Sequence, residues 1–329
     1  MSPPSPPSPP SPPSPPRTAT PTAEPGERTE PPSGLVVVDK PAGPTSHDIV
    51  ARVRRLAGTR RVGHAGTLDP AATGVLVLGL GRATKLLGHL ALADKDYLAT
   101  IRLGGSTSTD DAEGEPLGGS STAALTDEQV RTAASGFTGP LMQVPSAVSA
   151  VKVDGVRAYA RVRAGEQVEL AARPVVVASF QVLALRRPKP DLLDVDVAVS
   201  CSTGTYVRAL ARDLGAALGV GGHLVALRRT RVGAFTAAQA RTLAELEDDF
   251  RYVPLAEAVA AQFPRLDVDA EAAAAVGHGR PLPLAGTAPA AAPADGPVGV
   301  FGPDGALLAL MAPRDGVLRA LVVFAPAQP

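Results

Sequence analysis

Between Leu193 and Cys201 the chain alternates residue by residue: Leu193, Val195, Val197, Val199 and Cys201 against Asp194, Asp196, Ala198 and Ser200. A period of two predicts a strand with one buried face. Leu35-Val36-Val37-Val38 predicts another strand from its β-branched run, and the apolar run Val75–Leu78 a buried one. Tyr97–Leu103 is also strand-like. Helical spacing appears after Ser46, read as an N-cap, where Ile49, Val50, Val53 and Leu56 share a face and Gly58 ends the run. Leu86, Leu87 and Leu90 suit a short helix, Thr126–Ala134 another, and Pro140–Pro145 a loop. Tyr206 and Arg208 open a helix carrying Leu210, Leu214 and Leu218 on one side, with Gly219 closing it. Residues 242–271 hold eight acids against two arginines and suit a helical connector. An alanine-rich helix at Glu271–Val276 precedes a Pro/Ala-rich stretch, Pro281–Pro297. Short strands follow at Val298–Phe301, Leu307–Met311 and Leu318–Phe324.

Composition adds limits. Residues 1–33 hold 14 of the 34 prolines, with five consecutive Ser-Pro-Pro units, and are expected to be extended and disordered. Formal net charge is zero, yet residues 34–104 carry ten Lys/Arg against five Asp/Glu. A local basic excess suits a polyanion, and that attraction weakens with salt; a solvated basic helix face is the plainer alternative. The single cysteine, Cys201, excludes an intramolecular disulfide and fits a reducing cytoplasm. It falls on the apolar side of its strand, so burial is expected rather than reactivity. The five histidines lack metal-ligand spacing. No apolar run approaches the ~20 residues needed to span a bilayer, and no signal-peptide core opens the chain. A soluble, metal-free, cytoplasmic protein is expected.

The candidate chemistry centres on Gly63-His64-Ala65-Gly66-Thr67-Leu68-Asp69-Pro70. Its glycines permit tight turns and close approach of a ligand. Asp69 precedes a proline, which biases it toward an extended conformation and displays its carboxylate just before a buried strand. On composition alone it is equally a turn aspartate. Gly79–Lys85 lacks the spacing of a phosphate loop, which excludes a nucleotide cofactor there. Asp110, Asp111 and Glu113 lack an EF-hand pattern and read as a solvated loop. Lys40 is expected to position a loop or a phosphate.

This motif, preceded by Asp39-Lys40-Pro41-Ala42-Gly43-Pro44-Thr45-Ser46, closely resembles the TruB family of tRNA pseudouridine synthases. The resemblance runs through Gly81–Lys85, Asp94-Lys95-Asp96-Tyr97 and Cys201–Arg208, and ends near Leu227-Arg228-Arg229. Ser149–Lys152, Tyr159, Arg161, Arg163 and Gly165 continue it, with no role assigned at Arg161 or Val162.

The resemblance implies an α+β pseudouridine synthase fold, with a mixed, mainly antiparallel central sheet flanked by helices and a small PUA-like β-domain. Residues 1–33 are then a tail, 34–263 the catalytic domain and 264–329 an RNA-binding C-terminal domain. It further implies conversion of uridine 55 in the T-loop of tRNA to pseudouridine. Asp69 would be the catalytic carboxylate, attacking the anomeric carbon or removing the neighbouring proton. His64 would fill the space left by the flipped base, Tyr97 would stack on it, and Leu227 would pack beside it. Arg208 would pair with Asp69, and Tyr206 would join the substrate-binding residues. Each has an alternative: loop residue for His64, core packing for Tyr97 and Leu227, surface charge for Arg208. No cofactor, metal, membrane or obligatory protein partner is implied, and a monomer is expected. The competing class is a non-catalytic tRNA-binding or tRNA-folding protein.

Overall fold

The alternation along Leu193–Cys201 becomes one strand of a large mixed sheet in the computed structural model of the chain, which describes residues 32–148, 152–153, 156–157, 170–283 and 296–324. The expectations for the proline-rich tail, for 149–165 outside those two short pieces, and for the interior of the Pro/Ala-rich stretch lie outside the described residues. Two compact units meet in sequence between Phe250 and Arg251.

In the first unit the elements run β1 (Gly34–Lys40), α1 (Ser46–Leu56), β2 (Val62–His64), β3 (Thr73–Leu80), a 3-10 turn and α2 (Leu87–Ala91), then β4 (Lys95–Leu103). There follow β5 (Ser106–Thr107), β6 (Pro116–Gly118), α3 (Asp127–Ser135), β7 (Gly139–Gln143), β8 (Lys152–Val153) and β9 (Val156–Arg157). Then come β10 (Arg173–Lys189), β11 (Leu192–Cys201), α4 (Val207–Ala217), β12 (Gly222–Val232), β13 (Phe235–Thr236) and α5 (Leu243–Asp248). The sheet order is β1-β3-β12-β4-β11-β10-β7, with β2 added on β3 and β13 on β12. Every pairing in it is antiparallel except β12 with β3.

The core follows from the two periodicities. β4 and β11 direct Tyr97, Ile101, Leu103, Val195, Val197 and Val199 to one side, where Leu210 and Leu214 of α4 meet them. Each leucine so buried contributes about 1.5–3 kcal/mol. Gly215 lets α4 approach β12: a Cβ there would stand 2.1 Å from the Gly222 nitrogen.

Two local expectations change. The N-cap of α1 is Thr45, in a capping box with Asp48, and Ser46 is the first helical residue, buried. Its hydroxyl is taken by Leu68, accepting from that amide at 2.9 Å and donating to that carbonyl at 3.0 Å. Pro140–Gln143 is strand rather than loop, because β7 ends its sheet and an edge strand tolerates proline.

The second unit holds β14 (Val253–Pro254), α6 (Leu255–Gln262), β15 (Arg265–Asp267), α7 (Ala270–Gly277), β16 (Leu282–Pro283), β17 (Val298–Phe301), β18 (Leu307–Arg314) and β19 (Val317–Val323). Its sheet has the order β15-β17-β18-β19-β16. Val276 of α7 packs with Leu266, Val298, Val300, Met311 and Leu318 in a separate small core. Among the described residues no helix is long and apolar enough to cross a membrane.

Candidate active site

The loop that carries Asp69 joins β2 to β3, and three buried side chains hold it by its backbone. Lys40, fully buried at the end of β1, donates from Nζ to the carbonyls of Pro41, Pro70 and Ala72 at 2.8, 2.9 and 2.8 Å. Burial lowers its pKa to about 8, opposed by the nearby negative charge of Asp69. Lys40 therefore positions the loop, and its ammonium is closed to a phosphate. Ser46 holds Leu68 on the other side. Arg229, on β12, reaches both ends of the loop: Nε donates to the Val75 carbonyl at 2.8 Å, Nη1 to Thr67 at 3.3 Å and Nη2 to Gly66 at 3.2 Å. The chain leaves the loop through Gly74 at φ +98°, where a Cβ would stand 2.2 Å from the Arg229 carbonyl oxygen.

Arg208 sits in the first turn of α4, and its Nε lies 3.0 Å from Asp69 Oδ2. The guanidinium is almost buried, whereas the Asp69 side chain is 42% exposed. A charge so enclosed needs several partners. Arg208 finds Asp111 Oδ2 at 3.3 Å and the carbonyls of Thr109 and Val148 at 3.0 and 2.9 Å. The acidic loop is thus not simply solvated. Asp111 buttresses Arg208, and Asp110 is buried beside Arg212, whose Nη1 lies 3.2 Å from its Oδ2. Burial raises the Asp110 pKa, partly offset by Arg212 and Arg208. Spacing does not reveal this, because the acids meet their arginines only through the fold.

A pocket of about 310 Å³ opens beside the pair. That is near the lower end of ligand pockets, about 300–1,000 Å³. Its walls are the Gly66–Asp69 loop, the start of β4 with Lys95 and Tyr97, the turn Ser202–Tyr206 leading into Arg208, and Leu227 and Arg229 of β12. Tyr97 and Arg229 are register partners across β4 and β12, and the positive charge of Arg229 acts on the phenol. Burial raises the Tyr97 phenol above its ordinary pKa. Gln143 fixes the entry to α4 by accepting from the Tyr206 amide at 2.8 Å and donating to its carbonyl at 3.1 Å.

Five of the residues singled out from sequence, Asp69, Tyr97, Tyr206, Arg208 and Leu227, line this one pocket. His64 does not line it: it ends β2, with its ring centroid 5.6 Å from that of His47, edge to face. Lys95, Arg229 and Gln143 were given no site role by sequence reasoning, and Asp111 was read as part of a solvated loop. Lys95 and Arg229 belong to the stretches that carry the family resemblance, and that was the signal available.

The mixed sheet with its flanking helices is that of a pseudouridine synthase fold. A model of the TruB family pseudouridylate synthase N-terminal domain matches residues 54–207. A tRNA pseudouridylate synthase B C-terminal domain matches 208–259, and a tRNA pseudouridine synthase II C-terminal model matches 263–325. The tRNA pseudouridine synthase B of Thermobifida fusca (strain YX) is 59% identical over 295 residues, covering 89% of this chain and 98% of the relative. That of Arthrobacter sp. (strain FB24) is 56% identical over 298 residues, covering 89% and 97%. Among solved structures, a chain of a Cbf5-Nop10-Gar1 complex superposes with a TM-score of 0.69 at 27% identity, covering 89% of this chain and 85% of its own. The chain belongs to the TruB family of pseudouridylate synthases.

Proposed function

We propose that the chain isomerises uridine 55 in the T-loop of tRNA to pseudouridine, with Asp69 as the catalytic carboxylate. The observation that carries this reading is the Asp69–Arg208 pair at 3.0 Å, set on the pocket that Tyr97 and Leu227 also wall. The uracil must be detached from its ribose, turned and rejoined through carbon, which calls for an acidic side chain at the sugar and an enclosed place for the base. Asp69, paired with Arg208 yet with its side chain 42% exposed, meets the first need, by attack on the anomeric carbon or by removal of the neighbouring proton. Tyr97 meets the second by stacking, Leu227 by packing on the base edge, and Tyr206 by shaping the entrance. The stacked target base must flip out at a cost of a few kcal/mol. His64, outside the pocket but one strand end from the Asp69 loop, fills the space the base vacates. Residues 34–263 form the catalytic domain and 264–329 a PUA-like RNA-binding domain, and the protein works as a cytoplasmic monomer on the T-arm without cofactor or protein partner.

The test is pseudouridine mapping after incubating the purified chain with an unmodified tRNA transcript, beside Asp69→Asn. Conversion at position 55 by the parent, lost in the variant while tRNA binding persists, is the expected result. Binding without conversion by the parent would leave a tRNA-binding protein in its place.

A further inference from the structure

Two cations in the pocket wall have no assigned work in this chemistry. Lys95 is 7% exposed and Arg229 is 1% exposed, and both line the pocket. They converge on Gly66: a Cβ there would stand 3.7 Å from Lys95 Cε and 3.8 Å from Arg229 Nη1. Lys95 Nζ donates to the carbonyls of Ala91 and Ala93 at 2.9 and 2.6 Å. An ammonium has three N–H bonds, so these two contacts orient it and leave one to give. Among the described residues neither Lys95 nor Arg229 forms an ion pair with a carboxylate: their hydrogen bonds go to backbone carbonyls, while Tyr97 stands beside Arg229 and the charges of Asp94 and Cys201 act on Lys95 only through space. Arg208, in contrast, is shared between Asp69 and Asp111. The wall formed by β4 and β12 therefore carries positive charge that no carboxylate pairs directly, in a place largely closed to water, where a charge acts far more strongly than in solvent.

We propose that Lys95 supplies the charge that stabilises the uracil anion while it is detached from the ribose, with Arg229 as a positioning residue that holds Tyr97 and the Asp69 loop against it. The proposal rests on the synthase reading above. When the C1′–N1 bond breaks, its electron pair stays with the base and spreads over the ring and both carbonyl oxygens. The ring turns, C5 bonds to C1′, and C5 loses the proton that N1 gains, so nothing is consumed. Charge on the base is largest between the two bonds. A fixed ammonium beside it lowers that barrier without tightening ground-state binding, as preorganised donors do. Lys95 can serve at neutral pH, since burial and the nearby Arg229 bring its pKa only to about 8.

The test compares the parent with Lys95→Met and Lys95→Arg on two substrates: tRNA with uridine at the target, and ligated tRNA with a single 5-fluorouridine there. Fluorine makes the departing base a weaker base, so its anion needs less help. First-turnover loss of the target nucleoside at saturating enzyme is read by chromatography of nuclease digests, with tRNA affinity measured alongside. For Lys95→Met the expected result is about a 100-fold slower first turnover on uridine, affinity little changed, and a deficit on 5-fluorouridine about tenfold smaller. Lys95→Arg should recover part of the rate. Arg229→Lys provides a second variant that keeps the wall's charge. Equal deficits on both substrates, or a Lys95→Met enzyme as fast as the parent, would overturn the proposal alone. A parent that converts neither tRNA removes the synthase reading and this proposal with it.

Discussion

The cations of the first unit fall into two groups that look alike in sequence and behave oppositely in the fold. Arg52, Arg54, Arg55, Arg60 and Arg61 lie on α1 and just beyond it, all exposed. Arg52 meets Glu247 and Arg54 donates to the Val62 carbonyl at 3.0 Å, yet their heads remain at the surface. Lys40, Lys95, Arg208 and Arg229 are buried and tied to carbonyls or carboxylates at fixed distances. Exposed charge attracts a polyanion over a Debye length of about 8–10 Å and costs the fold little. Buried charge is expensive and persists only where partners hold it. The first group suits tRNA capture; the second holds the pocket in shape and gives it its field.

Breaking the buried group should show first in rate. Arg208→Met frees Asp69 from its partner and leaves Asp111 facing no charge, so single-turnover conversion should fall by about 100-fold or more while tRNA affinity changes little. Unchanged rate would mean that the pair is merely structural. The next effect is on stability. Arg229→Met strips partners from the carbonyls of Gly66, Thr67 and Val75 and should cost about 3 kcal/mol. Chemical denaturation measures it, and a loss within error would show that the loop holds its own shape.

A smaller effect concerns pH. Lys40 and Lys95 have folded pKa values of about 8, against 10.5 unperturbed. Above pH 8 the folded chain has shed protons that the unfolded chain still binds, so both lysines raise stability as pH climbs toward 10.5, and that contribution disappears as pH falls through 8. The Cys201 thiol works in reverse: burial pushes it from 9.0 up to about 11, so its contribution is present below 9 and lost as pH rises through 11. Denaturation midpoints of the parent relative to Lys95→Met should therefore shift in the parent's favour from pH 8 to 10. A flat difference would contradict the burial of that ammonium.

The exposed group should give the mildest effect. Arg54→Gln with Arg55→Gln should weaken tRNA binding and lower the slope of log affinity against log salt by about 1 for each arginine that meets a phosphate, with the rate at saturation unchanged. A salt slope equal to the parent's would remove α1 from the RNA-binding surface.

Much of the fold was legible in the chain. The alternation at Leu193–Cys201, the leucines of α4 and the runs in β1 and β3 are signals of apolar burial, and each element formed where its period places it. Asp69, with Arg208 far along the sequence, was legible through an ordered motif, and so were Tyr97 and Leu227. Lys95 falls in phase with Tyr97, Ile101 and Leu103 on β4, but periodicity could not place Arg229 inside, Asp111 against Arg208, or Pro140–Gln143 in a strand. Periodicity records where apolar side chains go, because their burial depends on their own surface. Whether a charge can be buried depends on who will answer it. For Arg229 those partners are carbonyls 154, 162 and 163 residues away, which nothing short of the closed sheet brings together.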